Sequence, residues 1–228
     1  MSRISEKIIG VQTRLASAAK IAPKKTDLPL LLAVSKTRSA QDIGEAYSCG
    51  LTHFGENYLH EAVGKISALG ELNITWHFIG AMQSNKTQEI AQHFDWVHTI
   101  DRIKIARRLS EQRPEKLAKL NVLIQLNIDA ENSKAGIAPE QLNELANQIS
   151  DLPNIQLRGL MAIPAPRHNL QAQSEVCQNI YSHFIQLQQH YPEVDTLSMG
   201  MSGDLEAAVQ SGSTLVRIGT DIFGPRTK

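Results

Sequence analysis

The sequence has little cysteine, no excess of charge of either sign and no long apolar run. Its 228 residues include two cysteines, Cys49 and Cys177, which lie far apart and outside any metal-binding or redox spacing. Two such residues exclude a disulfide framework and suit a reducing compartment. Lysine plus arginine equals aspartate plus glutamate at 23 each, so the charge favours neither nucleic acid nor an anionic membrane surface. No segment approaches the roughly 18 apolar residues of a membrane span, and we expect a soluble cytoplasmic protein.

The N-terminus also lacks the features of a targeting segment. A signal peptide would need an unbroken apolar block, and a mitochondrial presequence would be richer in arginine and free of Glu6. Instead Ile4, Ile8, Val11 and Leu15 recur at helical spacing, with charged residues between them. The spacing predicts an amphipathic N-terminal helix.

Short apolar runs alternate with amphipathic stretches along nearly the whole chain. One predicted helix starts at Ser39 as N-cap and ends at Gly50 as C-cap, and others are predicted at residues 141–150, 170–190 and 204–212. Strands that alternate with helices are typical of a parallel sheet covered on both faces. The predicted strands are residues 30–35, 52–55, 75–80, 96–100, 121–128, 157–163, 196–200 and 214–219.

Eight strands with intervening helices predict an α/β protein of the (β/α)8 TIM barrel class. The same alternation permits an open doubly wound sheet. No G-x-G-x-x-G motif follows the first strand, which weakens the dinucleotide-binding version of that alternative. No linker rich in proline, glycine or serine divides the chain, so we expect a single domain over residues 1–228.

The first predicted strand ends in a lysine, Lys36. In a barrel the active face is built from the segments that follow the strands, so Lys36 points toward that face. A partly desolvated lysine loses its charge more readily, and a neutral amine can attack an aldehyde. The alternative is a lysine whose stem packs while its ammonium group reaches water, and its position alone favours neither.

Glycine-rich segments after the last two strands favour a phosphate site. Ser202 and Gly203 precede a predicted helix, and Gly219 and Thr220 follow the final strand. Helix N-termini attract anions, and the loops after strands seven and eight are the usual phosphate site of this architecture. Ordinary turn chemistry would explain either glycine alone. Together with Lys36, the segments predict a site for a phosphorylated aldehyde.

A series of motifs along the chain makes a family resemblance specific. The motifs, in order, are LLAVSKT, FGEN, WHFIG with QSNK, HTID, LIQLNIDAENSKAG, RGLMAIPAP, LSMGMSGD and VRIGTDIFG. With these motifs the chain resembles the pyridoxal phosphate homeostasis proteins over residues 30–225. The resemblance implies a single barrel of the alanine racemase N-terminal type (PLP fold type III) with an extra N-terminal helix, and pyridoxal 5'-phosphate (PLP) as cofactor.

The resemblance also implies roles for individual residues. Lys36 would carry PLP as an aldimine, Ser202, Gly219 and Thr220 would hold its phosphate, and Arg217 would face the pyridine nitrogen. Further residues would line the pocket, namely Asn57, Ser84, Met161 and Ser198. The chain departs from the usual family pattern at Ala81, commonly proline, at Gly203, often aspartate, and at Asp221, where a small residue is expected.

Arg217 favours carriage of the cofactor over catalysis. Many PLP enzymes use a carboxylate to keep the ring nitrogen protonated, whereas arginine can only donate. Racemisation also needs a second base across the cofactor, which the racemase takes from a second domain. We therefore expect a carrier that buffers PLP, and a monomer because no second domain is available to complete a racemase-like dimer site. Delivery of PLP to apo PLP-dependent enzymes is implied by the resemblance alone. A structural ion pair of Arg217 with Asp101 or Glu56 is the alternative.

Other functions receive less support from the residues. A PLP enzyme acting on amino acids remains open, as does a Schiff-base aldolase whose lysine attacks the substrate's own carbonyl. The segment GMSGD lacks the final glycine of a serine hydrolase elbow because Asp204 stands there. His53 and His60 have no metal-ligand spacing, and His77 reads as a core-facing strand residue. Met199 and Met201 are expected to pack.

Overall fold

The chain folds into a closed barrel of eight parallel strands, as the sequence predicts. The computed structural model describes residues 2–22, 27–129 and 135–225, so residues 130–134 of the motif LIQLNIDAENSKAG lie outside the described residues. Each strand pairs with the next, and β1 pairs with β8 from Leu30 opposite Leu215 to Ala33 opposite Ile218. The open-sheet alternative is thereby excluded. The strands are β1 Leu30–Val34, β2 His53–Glu56, β3 Thr75–Phe78, β4 Trp96–Ile100, β5 Leu120–Leu126, β6 Ile155–Ala162, β7 Thr196–Ser198 and β8 Leu215–Ile218.

Helices surround the barrel. No helix within the described ranges is long and apolar enough to cross a membrane. Short 3-10 helices lie at Ser84–Lys86 and Pro139–Gln141. The α-helices are α1 Arg3–Ile21, α2 Ala40–Ser48, α3 Leu59–Ala68, α4 Thr87–His93, α5 Ile103–Gln112, α6 Leu142–Ser150, α7 Leu170–His190, α8 Leu205–Gln210 and α9 Thr220–Phe223.

Helix α1 is the predicted amphipathic N-terminal helix. Ile8, Val11 and Leu15 are buried, and the Ser2 hydroxyl accepts a hydrogen bond from the Ser5 N–H as the N-cap. The apolar stripe packs α1 against α2, α8 and α9. The N-terminal helix therefore lies beside the loops that follow the last two strands.

The ends of the elements differ from the prediction by one or two residues. Ser39 is the N-cap of α2 and forms a capping box with Asp42, but the C-cap is Cys49, and Gly50 follows it at φ +91°. Strand β7 ends at Ser198, two residues before Gly200, which has a φ of +98°. The apolar pattern continues past the end of β7 because Met199 and Gly200 stay buried after the regular hydrogen bonding stops.

The barrel interior is unusually polar. Barrel interiors are generally filled by branched aliphatic side chains. Here His98 of β4 lies 3.0 Å from the Ser198 hydroxyl of β7, a contact between strands that do not pair and that must therefore cross the lumen. His77 is fully buried, which confirms the predicted core-facing role, and Arg217 is only 4% exposed.

Gly159 in β6 provides a test of barrel closure. A Cβ at this position would lie 1.9 Å from the Thr196 carbonyl oxygen of β7, and the φ of +145° strains any other residue. We expect Gly159→Ala to lower the free energy of unfolding by about 3 kcal/mol or more, measured by urea denaturation.

Gly44 is the matched control, because it lies in α2 with nothing within 4 Å of its Cβ position. Gly44→Ala should stabilise the protein by about 0.5–1 kcal/mol. Equal unfolding midpoints for the two variants would contradict the tight approach of β6 and β7.

Candidate functional site

Seven of the nine residues predicted for a cofactor site line one cavity at the C-terminal ends of the strands. Its volume is about 270 Å³. Because the residues come from β6 and β8 and from the segments that follow β1, β2, β7 and β8, the barrel alone brings them together. The seven are Lys36, Asn57, Met161, Ser202, Arg217, Gly219 and Thr220.

The other two predicted residues lie elsewhere. Ser198 is fully buried beneath the cavity, where its hydroxyl contacts Arg217 and His98. Ser84 lies in the 3-10 helix after β3, where its carbonyl accepts a hydrogen bond from Thr87. Ser84 is not among the described residues that line the cavity.

The backbone turns sharply next to Lys36. Lys36 is half-buried, and Thr37 has a φ of +62°, in the left-handed region. A β-branched residue in this region is strained. The Thr37 N–H donates to Glu61 Oε1 at 2.6 Å, which holds the turn in place.

A buried ion cluster, which the sequence analysis missed, surrounds the same turn. Lys65 Nζ donates to the Ser35 carbonyl at 2.8 Å, to Glu56 Oε1 at 2.8 Å and to Glu61 Oε1 at 2.5 Å. Glu56 is fully buried, and this burial raises the pKa of its carboxyl, although hydrogen bonds from Lys65 and Ser35 oppose the rise. The cluster fixes the backbone on both sides of Lys36.

Two loops form the opposite end of the cavity. Asp204 caps the turn after β7 by accepting a hydrogen bond from the Met201 N–H at 2.6 Å. Gly203 faces open space, while a Cβ at Gly219 would lie 3.2 Å from the Val34 carbonyl oxygen. Ser202, Gly203, Gly219 and Thr220 all line the cavity, and the two glycines add no side chain to its wall.

Arg14 of α1 joins these two loops, and the sequence analysis did not identify it. Its guanidinium donates to Glu206 Oε1 at 2.8 Å, to Asp221 Oδ2 at 2.6 Å and to the Ser202 carbonyl at 3.1 Å. The hydrogen bond from Arg14 lowers the pKa of the Glu206 carboxyl. The unexpected Asp221 is thereby explained, because it is a partner of Arg14.

Arg217 is held by oxygen acceptors rather than by a carboxylate. Nη1 donates to both the carbonyl and the hydroxyl of Ser198 at 2.7 Å, and Nη2 donates to the Ala162 carbonyl at 3.0 Å. Burial lowers the pKa of Arg217 to about 10, so the guanidinium stays charged near neutral pH. Within the described residues Arg217 forms no ion pair.

The two carboxylates considered as partners of Arg217 are engaged elsewhere. Glu56 pairs with Lys65 at 2.8 Å, and Asp101 pairs with Arg102 at 2.6 Å. The alternative of a structural ion pair with either residue is therefore wrong.

Three histidines continue the hydrogen-bonded chain below Ser198. His98 Nε2 lies 2.9 Å from His77 Nδ1, and His77 Nε2 lies 2.9 Å from His53 Nδ1. Burial holds the pKa of His77 and His98 well below the ordinary value, with neighbouring charge adding to the effect. His53, which is half-buried, has a pKa lowered by the same cause.

Two further cavities adjoin the first. One of about 280 Å³ shares Asn57 and Met161 with it and also includes Ala81 and the amides of Gln125 and Asn127. The other, of about 510 Å³, lies beside the loop after β7. Met201 lines both this larger cavity and the first one and is 38% exposed, so the expectation that it packs is wrong. Met199 is fully buried in the core as expected.

Comparison with known sequences gives a consistent family. Residues 11–227 match the family model described as alanine racemase, N-terminal domain. The pyridoxal phosphate homeostasis protein of Escherichia coli K12 is 51% identical over 229 residues, which cover 99% of this chain and 98% of that protein. The protein of the same name from Pseudomonas aeruginosa is 52% identical over 226 residues, with coverages of 99% and 97%.

Solved structures agree with this family. PipY of Synechococcus elongatus with PLP bound is 34% identical, with a TM-score of 0.84 over 97% of this chain and all of that chain. Alanine racemase from Corynebacterium glutamicum is 15% identical, with a TM-score of 0.69 over 98% of this chain and 60% of that chain. The latter likeness shows a shared fold and confirms the predicted barrel type.

Removal of the cation from the Lys65 cluster tests its structural role. Lys65→Met would leave the carboxylate of Glu56 buried without its cation, and we expect the free energy of unfolding to fall by about 3–5 kcal/mol. Chemical denaturation measures this loss. The double variant Lys65→Met/Glu56→Gln should recover most of it, and a double variant as unstable as the single one would disprove the charge explanation.

The buried histidines predict a loss of stability in mild acid. Unfolded histidine takes up a proton near its ordinary pKa of about 6.5, but His77 and His98 resist protonation in the folded protein. The unfolded state therefore binds more protons below that pH. The free energy of unfolding should fall by up to about 1.4 kcal/mol per pH unit for each histidine.

Urea titrations between about pH 7.5 and about pH 5.5 measure this slope. His77→Gln removes one of the two groups and should make the slope shallower. An unchanged slope would show that His77 titrates normally in the folded protein.

Proposed function

The chain belongs to the pyridoxal phosphate homeostasis proteins, within the family of alanine racemase N-terminal domains, and from this we propose that it binds PLP and acts in PLP homeostasis. Lys36 would hold the cofactor covalently through its side-chain amine. The protein would then buffer free PLP and deliver it to apo PLP-dependent enzymes.

The observation that carries the proposal is the match between one cavity and three groups of PLP, namely its aldehyde, its phosphate and its ring nitrogen. When bound, PLP supplies an aldehyde that condenses with a primary amine. The cavity has Lys36 for the aldehyde, the Ser202 and Thr220 segments for the phosphate, and Arg217 for the ring nitrogen. An ordinary surface lysine would not share a cavity with the other two groups.

The contacts around Lys36 support its role as a binding residue that is preorganised before the ligand arrives. Glu61 holds the Thr37 N–H and Lys65 holds the Ser35 carbonyl, so the backbone on either side of Lys36 is fixed. A covalent binding residue benefits from such fixation because less conformational freedom is lost when the ligand is captured.

The same cavity supports carriage rather than turnover. Arg217 can only donate hydrogen bonds, so it favours an unprotonated ring nitrogen and a weak electron sink. Among the described residues that line the cavity, Lys36 has the one side chain suited to act as a general base. A conventional racemase or related enzyme would need a second base opposite it.

We further propose that the protein works as a single-domain monomer in the cytoplasm. The cavity already combines Lys36, Arg217 and the segments at Ser202 and Thr220 within a single copy of the barrel, which supports a protein that can bind its ligand as a monomer. Cys49 and Cys177 are both free thiols, which suits a reducing compartment.

Lys36→Ala is the direct test of the binding residue. We expect the wild type to show the visible absorbance of lysine-bound PLP, and the variant to lose it because the amine is gone. Borohydride reduction followed by peptide mapping should place the label on Lys36. Lys104→Ala, which changes an exposed lysine of α5, is the matched control and should behave as wild type.

Two outcomes would redirect the proposal. A colourless wild type that takes up no added PLP would disprove PLP binding and favour the Schiff-base aldolase hypothesis. A coloured wild type that racemises or otherwise turns over amino acids at enzymatic rates would replace the carrier with a PLP enzyme.

A further inference from the structure

A continuous hydrogen-bonded chain runs through the barrel from its lower edge to the cavity. We call His53, His77 and His98 the histidine file. His53 is the first residue of β2, at the N-terminal end of the barrel, and the file reaches Arg217 through the Ser198 hydroxyl. The proposed function assigns the file no role.

Arg217 determines the direction of every hydrogen bond in this chain. A guanidinium can only donate, so the Ser198 oxygen accepts from Nη1. The Ser198 proton then has His98 Nδ1, 3.0 Å away, as its acceptor. It follows that His98 carries its proton on Nε2 and donates it to His77.

The same reasoning fixes the remaining histidines. His77 accepts at Nδ1 and donates from Nε2 to His53 Nδ1. In the opposite direction His98 would donate to Ser198, and the buried serine proton would have no acceptor among the described contacts. A buried hydroxyl without a partner is costly, so the direction away from Arg217 is favoured.

Charged groups around the file favour neutral imidazoles. Arg217 lies beyond Ser198 and disfavours a proton on His98. Arg158 lies over the ring of Trp96, 5.0 Å from its centroid, and Trp96 stacks on His77. Asp95 favours protonation of His53, and it acts at the half-buried end of the file.

We propose that the histidine file is a positioning device for Arg217, acting through Ser198. By accepting a hydrogen bond from the Ser198 hydroxyl, His98 orients the serine oxygen so that its lone pairs face Nη1 of Arg217. The acceptors on Ser198 and Ala162 engage three of the five guanidinium N–H groups. Those that remain are available to the cavity, which Arg217 lines. The consequence for bound PLP rests on the proposed function, whereas the direction of the file does not.

Imidazole nitrogen NMR on the PLP-free protein tests the direction. We expect His77 and His98 to be neutral with the proton on Nε2, and to stay so between about pH 5 and about pH 8. The exposed His60, which is not part of the file, serves as the internal control. Protons on Nδ1 of His77 and His98, or titration of either residue in this range, would overturn the proposal.

A pair of substitutions at His98 tests positioning. Glutamine has one acceptor and one donor and can replace both contacts of the imidazole, whereas leucine can replace neither. We expect hydrogen exchange of the Arg217 guanidinium protons to rise roughly 2- to 10-fold in His98→Leu, the range for one lost hydrogen bond. His98→Gln should stay within about twofold of wild type.

The affinity for PLP should follow the same order in the two variants. Equal effects of glutamine and leucine on exchange would overturn the positioning role.

If His98→Leu does not fold, Ser198→Ala provides the second variant, since it removes the link while leaving the file intact. Its guanidinium exchange should rise over the same range, and an unchanged rate would count against the proposal. A protein that shows the expected exchange but takes up no PLP would disprove the proposed function and leave this inference standing.

Discussion

The burial of a permanent positive charge inside the barrel is the constraint on which the rest of the site depends. Arg217 is 4% exposed and has no carboxylate partner within the described residues. The desolvation of such an ion costs several kcal/mol unless hydrogen bonds replace its water. Carbonyls at the ends of β6 and β7 and the Ser198 hydroxyl supply that replacement. The polar lumen follows from this, because the Ser198 hydroxyl requires His98 as a hydrogen-bond acceptor and His98 requires His77 as the next acceptor.

Two further cations stabilise the ends of the cavity in a different way. Lys65 binds carboxylates and a carbonyl around the turn at Lys36, and Arg14 binds carboxylates and a carbonyl at the glycine-rich loops. Neither is among the residues that line the cavity. The shape of the binding surface therefore depends on charges that a ligand does not touch.

The sequence allows the architecture and most of the cavity to be predicted, because both follow from local patterns. Strand and helix spacing predicts the barrel, and the barrel brings the segments that follow the strands to one face, so Lys36, Ser202 and Thr220 are found together. Arg14 could not be found in this way, since its partner Glu206 lies 192 residues away. His77 could be placed in the core but not in a hydrogen-bonded file. Met201 was misjudged because an apolar residue on a loop gives no local sign of exposure.

The pairing of β1 with β8 has a consequence for how the protein is made. The sheet closes only after residues near position 215 have been synthesised and can pair with residues near position 30. Arg14 finds its partner Asp221 later still, because Asp221 follows β8. A nascent chain that has not yet reached β8 holds Lys36 without Arg217, Gly219 and Thr220, which line the same cavity. The cavity is thus complete only after β8 has been synthesised and has paired with β1, and a chain terminated before β8 would keep Lys36 but lack one wall of the cavity.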